Sequence, residues 1–314
     1  MPSVSVGIMA YNEERTIGSC LSAVAGQRTQ WASIQEIIVV CSGCTDQTEA
    51  IVRAHAARNG TIRLLSQPTR RGKAAAINAF LAEAAAPYIL LTNADTVMAP
   101  DCLERLVGVL DADPRAGMAC GRPRPMSPTS GLRRSMADLH WLLHHQISLA
   151  RPKVGEVLAL RRVVPRISEA TWADEAELHA QVEAGGWTVR YVPEAMVYVG
   201  VASLRDLLRQ RRRIHAGHLD LRRRLHFVVS TLPVSSCLVA LVNLMRSHPH
   251  LLGVLPLAIP GEVLCRVLGW WDFHTKARDG LWPPIPSTKR LPLAVLPPHV
   301  PVGAGSPDEG SGPS

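Results

Sequence analysis

Over the first 120 residues, short apolar runs alternate with stretches whose apolar positions recur every three or four residues. Val4 to Met9, Ile34 to Val40, Ile62 to Ser66 and Tyr88 to Thr92 read as strands. Glu14 to Ala25, Thr45 to Arg58, Lys73 to Ala85 and Pro100 to Leu110 read as helices, the last opened by a proline whose missing N–H costs nothing in a first turn. Strands that alternate with helices predict a parallel, helix-covered α/β sheet. Ligands of such sheets sit beyond the carboxyl ends of the strands. The loops there are AYNEE (10–14), CSGCTD (41–46), QPTRRGKAAAIN (67–78) and NADT (93–96), and all four should converge on one edge.

After Gly121 the pattern is less regular. Leu132 to Ala150 reads as a helix, and GEVLALRR (155–162) as a strand leading into a turn. A helix over Ala173 to Ala184 ends at Gly185 and Gly186. Val189 to Val192 and Met196 to Val199 read as two short strands, and Ser203 then caps a basic helix reaching about Leu225. From Phe227 to Met245, 19 residues carry no charge, enough to span a bilayer, although Pro233 and several Ser, Thr and Asn residues dilute the run. A second apolar stretch, Leu251 to Leu268, is interrupted by Pro256, Pro260, Glu262 and Arg266, which suits an interfacial or re-entrant helix. Gly269, Trp270, Trp271 and Phe273 follow as an aromatic interface anchor. Spanning, lying in the interface and packing internally all remain open for 227–268. The expected organisation is a catalytic domain over 1–218, a hydrophobic and amphipathic helical region over 219–290, and a disordered tail over 291–314, rich in Pro, Gly and Ser from Pro297 onward.

Charge narrows the partners. A net charge of +8 and a pI near 9.4 favour an anion: nucleic acid, acidic lipid or a phosphorylated substrate. Eight arginines between Arg205 and Arg224 carry the excess. No aromatic residue interleaves them and no nucleic-acid motif is present, so nucleic acid is not the expected partner. Seven irregularly spaced cysteines do not form a disulfide framework, and the N-terminus lacks a positive, then apolar, leader. The expected location is the cytoplasm, at the inner face of the cell membrane.

The candidate chemistry lies in the loops. Cys41 and Cys44 have C-x-x-C spacing, but a zinc site needs four ligands and no second pair is present. The segment is better read as a strand, a sharp turn at Gly43, and Thr45 and Asp46 positioned to cap the next helix. Asp95, in the loop after the fourth strand, can hold Mg²⁺ or Mn²⁺, hard cations that take oxygen ligands and share them with phosphates. A lone Asp often merely ends a strand. Arg70, Arg71 and Lys73 stand at a helix N-terminus, which favours anions, although a solvated basic face has the same composition. Asp174 and Glu175 open a helix and offer either ordinary first-turn electrostatics or a general base. Gln210 and Arg213, at i and i+3, share a helix face that can hold a diphosphate or acidic lipid. His140, His144 and His145 lack the Glu of a metalloprotease pattern and read as structural.

In this order the motifs resemble the family 2 glycosyltransferases of the GT-A fold. AYNEE resembles the family's opening nucleotide-pocket motif, and VVCSGCTDQT falls where VVDDGSTDGT is common. RGKAAAIN is similar to GKxxALN, NADT stands where the DxD motif belongs, WADEAEL with GGWTVRYVPEA resembles the ED-type segment and its continuation, and QRRRI resembles QxxRW. The similarity runs from about residue 3 to 218. It implies a mixed sheet with helices on both faces and inverting transfer of a sugar from a nucleotide-diphosphate donor, with Mg²⁺ or Mn²⁺ neutralising the leaving group. Carried over by position, Tyr11 and Glu13 would contact base and ribose with Asn12 between them among the substrate-binding residues, Cys41 would stand at the base-reading position, and Lys73 would lie near the nucleotide. Asp95 would bind the metal, with Asn93 in place of the first acid of the motif. Glu175 would be the base with Asp174 beside it, where relatives carry Asp, and Gln210 and Arg213 would reach the diphosphate. Ile214 replaces the tryptophan of processive synthases, so single addition to a lipid-linked or hydrophobic acceptor is expected. The acids missing at 41 and 93 leave one alternative: a catalytically weakened GT-A protein that binds a nucleotide sugar or an acidic lipid.

Overall fold

The computed structural model describes residues 1–126 and 130–275, together with Ser287 and Lys289. Its strands are β1 (Ser3–Ala10), β2 (Ser33–Ser42), β3 (Ile62–Gln67), β4 (Tyr88–Asn93), β5 (Thr96–Met98), β6 (Ala116–Pro125), β7 (Val157–Arg161) and β8 (Thr188–Val199), in the spatial order β3-β2-β1-β4-β7-β6-β8-β5. The helices are α1 (Ile17–Ala25), α2 (Thr48–Arg58), α3 (Lys73–Glu83), α4 (Cys102–Ala112), α5 (Gly131–Ala150), α6 (Asp174–Ala184), α7 (Leu204–Leu225), α8 (Val234–Ser247) and α9 (Leu255–Thr275).

The first four strands pair in parallel, as alternation with helices predicts. Beyond β4 the directions alternate, and β6 and β8 again pair in parallel. β7 runs antiparallel to both β4 and β6, and β5 antiparallel to β8, so the sheet is mixed. Alternation along the strands feeds two layers. Val6, Ile8, Ile37, Val39 and Cys41 face α1 and α4, while Met9, Ile38 and Val40 face Phe80 of α3 and Leu178 of α6.

Two strands are invisible to the hydrophobic pattern. β5 is only three residues long, and β6, AGMACGRPRP, mixes Gly, Pro and Arg. Its small residues Ala116, Ala119 and Cys120 are nonetheless fully buried, because β7 and β8 flank it. β8 is one strand where two were expected. Its pairing with β6 breaks register between Cys120 and Arg122, which skips 192–195 and the proline within them.

The C-terminal helices settle part of the membrane question. No single helix covers 227–245: Phe227 and Val229 pack on Leu221 and on Ala176 and Ala180 of α6, and α8 starts only after Pro233. α8 and the 3-10 turn Pro249–Val254 pack on α5 through Leu139, Leu244, Leu251 and Val254. α9 continues through Pro260 along α7, and the boundary drawn at 218 falls inside α7. The basic run is partly consumed here, since Arg212 reaches the buried Asp272 at 2.5 and 2.6 Å and Arg211 reaches Glu262 at 2.8 and 3.0 Å. Gly269 permits this crossing, because a Cβ there would lie 2.7 Å from the carbonyl oxygen of Arg212. One helical run among the described residues, Pro249–Thr275, is long and apolar enough to cross a membrane, and it is mostly not buried by the protein. Val239, Val242, Val263, Val267, Trp270 and Trp271 are exposed on α8 and α9. The tail expected over 291–314 lies outside the described residues.

A branched residue at the crossing should push α9 off α7 and part Arg212 from Asp272. Gly269→Val is expected to cost about 1–3 kcal/mol, read as a lower urea midpoint with unchanged slope.

Candidate active site

The carboxyl ends of β1, β2 and β4 open into a cavity of about 340 Å³, completed by the starts of α3 and α6 and by one face of α7. Its first wall is made of interlocked loops. Asn12, at φ 53°, turns the chain after β1, and its Oδ1 accepts the Thr45 amide at 2.8 Å. The Glu13 amide donates to Thr48 Oγ1 at 2.7 Å. Gly43 carries φ 66°, and a Cβ there would stand 2.4 Å from the Arg70 amide nitrogen, so only glycine lets the loops after β2 and β3 approach so closely. Arg70 lies 4.4 Å over the Tyr11 ring.

The cavity gathers Tyr11, Glu13, Lys73, Asn93, Asp95, Asp174, Glu175, Gln210 and Arg213. It does not gather Asn12, whose side chain is engaged with Thr45, nor Cys41, whose expected place at a base-reading position is not met. Period-two alternation turns Cys41 into the core at 0% exposure. There it hydrogen-bonds Cys44, which raises the Cys41 thiol and lowers that of Cys44 to about 7. Ser42, the next residue, lines the cavity instead.

The central charges form one cluster. Lys73 opens α3 and is hydrogen-bonded to Glu175 at the start of α6, with Asp174 3.8 Å away. Burial alone would raise Glu175, but the Lys73 ammonium outweighs it and holds the carboxyl at about 2. Burial and the Glu175 charge raise Asp174 instead. On the opposite side, burial and then the Asp95 carboxylate push both Glu13 and Glu156 up to about 7. Glu156 stands at φ 25° just before β7, and its Oε2 accepts Asn93 Nδ2–H at 2.7 Å. Arg71, one of the expected anion-binding residues, instead pairs at the rim with Glu169 at 3.0 Å.

Two participants escaped the sequence reading. Glu156 sits inside GEVLALRR, read only as a strand; an acid directly before the apolar run Val157 to Leu160 was the available signal. Lys289 has no local signal. Its ammonium reaches Glu13 at 2.7 Å and the carbonyls of Tyr11 and Asn12, while Ser287 donates to Asp206 Oδ2 at 2.6 Å.

For a metal, the described residues hold no group of three or more His, Cys, Asp and Glu side chains suited to one. Asp95 with the amide of Asn93 and the carboxylate of Glu156 is a hard-oxygen set, which suits Mg²⁺ or Mn²⁺ completed by substrate phosphates and water. The residues present therefore fit such an ion.

The sequence model described as "Glycosyl transferase family 2" matches residues 5–158, and that described as "Glycosyl transferase family group 2" matches 88–274, more than half of the chain. The chain belongs to the family 2 glycosyltransferases. Among curated relatives, this glycosyltransferase is 25% identical over 224 residues to a poly-beta-1,6-N-acetyl-D-glucosamine synthase of Staphylococcus aureus, covering 67% of the chain and 53% of the relative. It is 26% identical over 236 residues to an N-acetylglucosaminyltransferase of Mesorhizobium japonicum, covering 68% and 55%. The chain thus spans about half the length of these relatives. Its fold is similar to that of a mannosyltransferase from Pyrobaculum calidifontis solved with GDP-Man and Mn²⁺, at a TM-score of 0.63 and 19% identity over 87% of both chains. That likeness shows the GT-A fold expected from the motifs.

The Lys73 cluster makes stability pH-dependent with a definite sign. Glu175, held below its ordinary 4.5, stabilises the fold above that pH and loses its contribution as pH falls toward 2. In Lys73→Met the carboxylates lose their counter-charge, so the deficit should grow as pH rises through about 4.5. Lys73 is 34% exposed, so the loss at pH 8 is expected to be on the order of 1–2 kcal/mol and smaller at pH 5, by urea midpoints at each pH.

Proposed function

We propose that this glycosyltransferase moves a sugar from a nucleoside-diphosphate donor to an acceptor hydroxyl, with inversion, and works at a membrane surface. The observation that carries the reading is one cavity in which Asp95, a paired Lys73 and Glu175, and Gln210 and Arg213 meet. The names of the relatives, two N-acetylglucosamine-handling enzymes and a mannosyltransferase holding GDP-Man with Mn²⁺, support a nucleotide-sugar donor.

Tyr11, with Arg70 over its ring, forms a flat wall for a nucleobase at the rim. Arg213 and Gln210 project from α7 as donors for phosphate oxygens, and Lys73 adds a cation. Mg²⁺ or Mn²⁺ held at Asp95 would neutralise charge on the diphosphate leaving group. Glu175 is the proposed base. Tied to Lys73 at about 2 it accepts a proton poorly; an anionic donor gives Lys73 a second partner, which loosens the pair and raises the carboxyl. Glu175 then takes the acceptor hydroxyl proton as that oxygen bonds the anomeric carbon, and the bond from that carbon to the diphosphate breaks.

A lipid-linked or hydrophobic acceptor matches the exposed apolar residues of α8 and α9, which let the protein lie on a bilayer with the cavity beside it. The second reading, a donor-binding protein with weak turnover, is favoured by one observation: Lys289 already pairs with Glu13 within the pocket.

Calorimetry with a panel of nucleotide sugars, with and without Mn²⁺, tests the site. Metal-dependent binding of one donor should vanish in Asp95→Ala. Glu175→Gln should keep that binding but lower turnover by about 10²–10⁴-fold, the span typical of a lost general base. Donor binding without nucleoside-diphosphate release, across acceptors, would select the second reading. For the surface, Trp270→Ser with Trp271→Ser should reduce flotation with phospholipid vesicles while leaving nucleotide binding intact.

A further inference from the structure

The family-like metal motif of this chain is short of one carboxylate, and the structure shows a carboxylate of different origin beside the gap. β4 and β7 pair antiparallel up to Thr92 and Val157, so Asn93 and Glu156 follow each other out of the ladder as cross-strand neighbours. Their side chains meet there, Asn93 Nδ2 donating to Glu156 Oε2 at 2.7 Å. Both line the cavity with Asp95. Glu156 holds this place in a left-handed backbone, φ 25°, which side chains other than glycine adopt rarely. The carboxylate also sets the amide: with Nδ2 committed to an anion, the other amide atom, Oδ1, is an acceptor without a protein donor among the described residues. Glu156 Oε1 likewise has none.

We propose that Asn93 and Glu156 act as a charge-exchanged pair, in which Glu156 supplies the negative charge missing at position 93 and fixes Asn93 so that its Oδ1 serves the cation held by Asp95. Glu156 is a positioning residue in this arrangement. The cation is a divalent, oxygen-seeking ion bridging to the diphosphate of the donor. An aspartate at 93 would be the wrong repair on its own, because two carboxylates would then face each other where one hydrogen bond now runs. The inference rests on the donor-and-metal reading above.

The test is a double-mutant cycle on Mn²⁺ affinity, read by electron paramagnetic resonance of free Mn²⁺ in the presence of UDP or GDP, with thermal melting as the check on folding. Glu156→Gln keeps an acceptor for the amide but removes the charge, and is expected to weaken Mn²⁺ at least tenfold. Asn93→Asp alone should bind no better than wild type. Asn93→Asp combined with Glu156→Gln, which moves the charge back across the pair, should restore affinity to within about threefold of wild type. A merely structural Glu156 would be rescued by glutamine alone and would gain nothing from the second change. Wild-type affinity in Glu156→Gln, or no recovery in a folded double variant, would overturn the pair while leaving the donor-and-metal reading standing if Asp95→Ala still abolishes Mn²⁺ binding. Absence of Mn²⁺ binding in the wild type with either nucleotide would overturn both.

Discussion

The ion pair between Lys73 and Glu175 joins the two halves of this molecule. Lys73 is the first residue of α3, on the parallel side of the sheet, and Glu175 lies in the first turn of α6, beyond the antiparallel strands. Each group is costly to bury alone, and each makes the other tolerable. Asp174 adds a second carboxylate to the same ammonium, and Lys153 and Arg213 lie close enough to act on the two carboxylates as well.

Around that pair, the charges divide by side. Glu13, Asp95 and Glu156 crowd together, and burial with mutual repulsion lifts Glu13 and Glu156 toward neutrality. Crowded carboxylates are unfavourable unless a cation sits near them. Lys289 meets part of that need at Glu13, reaching in from near the C-terminal end of the described chain. The arginine run shows the opposite economy. Arg211 and Arg212 are spent on Glu262 and Asp272 to hold α9 against α7, and Arg213 alone of the three consecutive residues lines the cavity. One helix therefore serves as wall of the cavity and as anchor of the exposed apolar helices, which places the exposed apolar surface and the cavity on a common support.

Much of the front half was legible. The first four strands and their helices follow from periodicity, with ends shifted by a few residues, and the convergence of their loops follows from parallel order alone. Lys73, Asp95, Asp174, Glu175, Gln210 and Arg213 line one cavity, as their places in short ordered motifs at element ends suggest, because local sequence sets position there. Cys41 was misplaced because a motif match does not register the parity of a strand, and one step along β2 exchanges core for cavity.

The sequence by itself determined the family, the front of the sheet and the edge at which the strand-end loops converge, since these depend on local periodicity and on contiguous residues. The tertiary structure alone decided that β6 is a strand, that 227–245 is not one helix, that Glu156 stands against Asn93, and that Lys289 reaches Glu13. Each of these brings together residues far apart in the chain or rests on burial by neighbouring elements. Side-chain pairing at such separations leaves no periodic trace, because its energy comes from contacts that exist only once the sheet has closed around them.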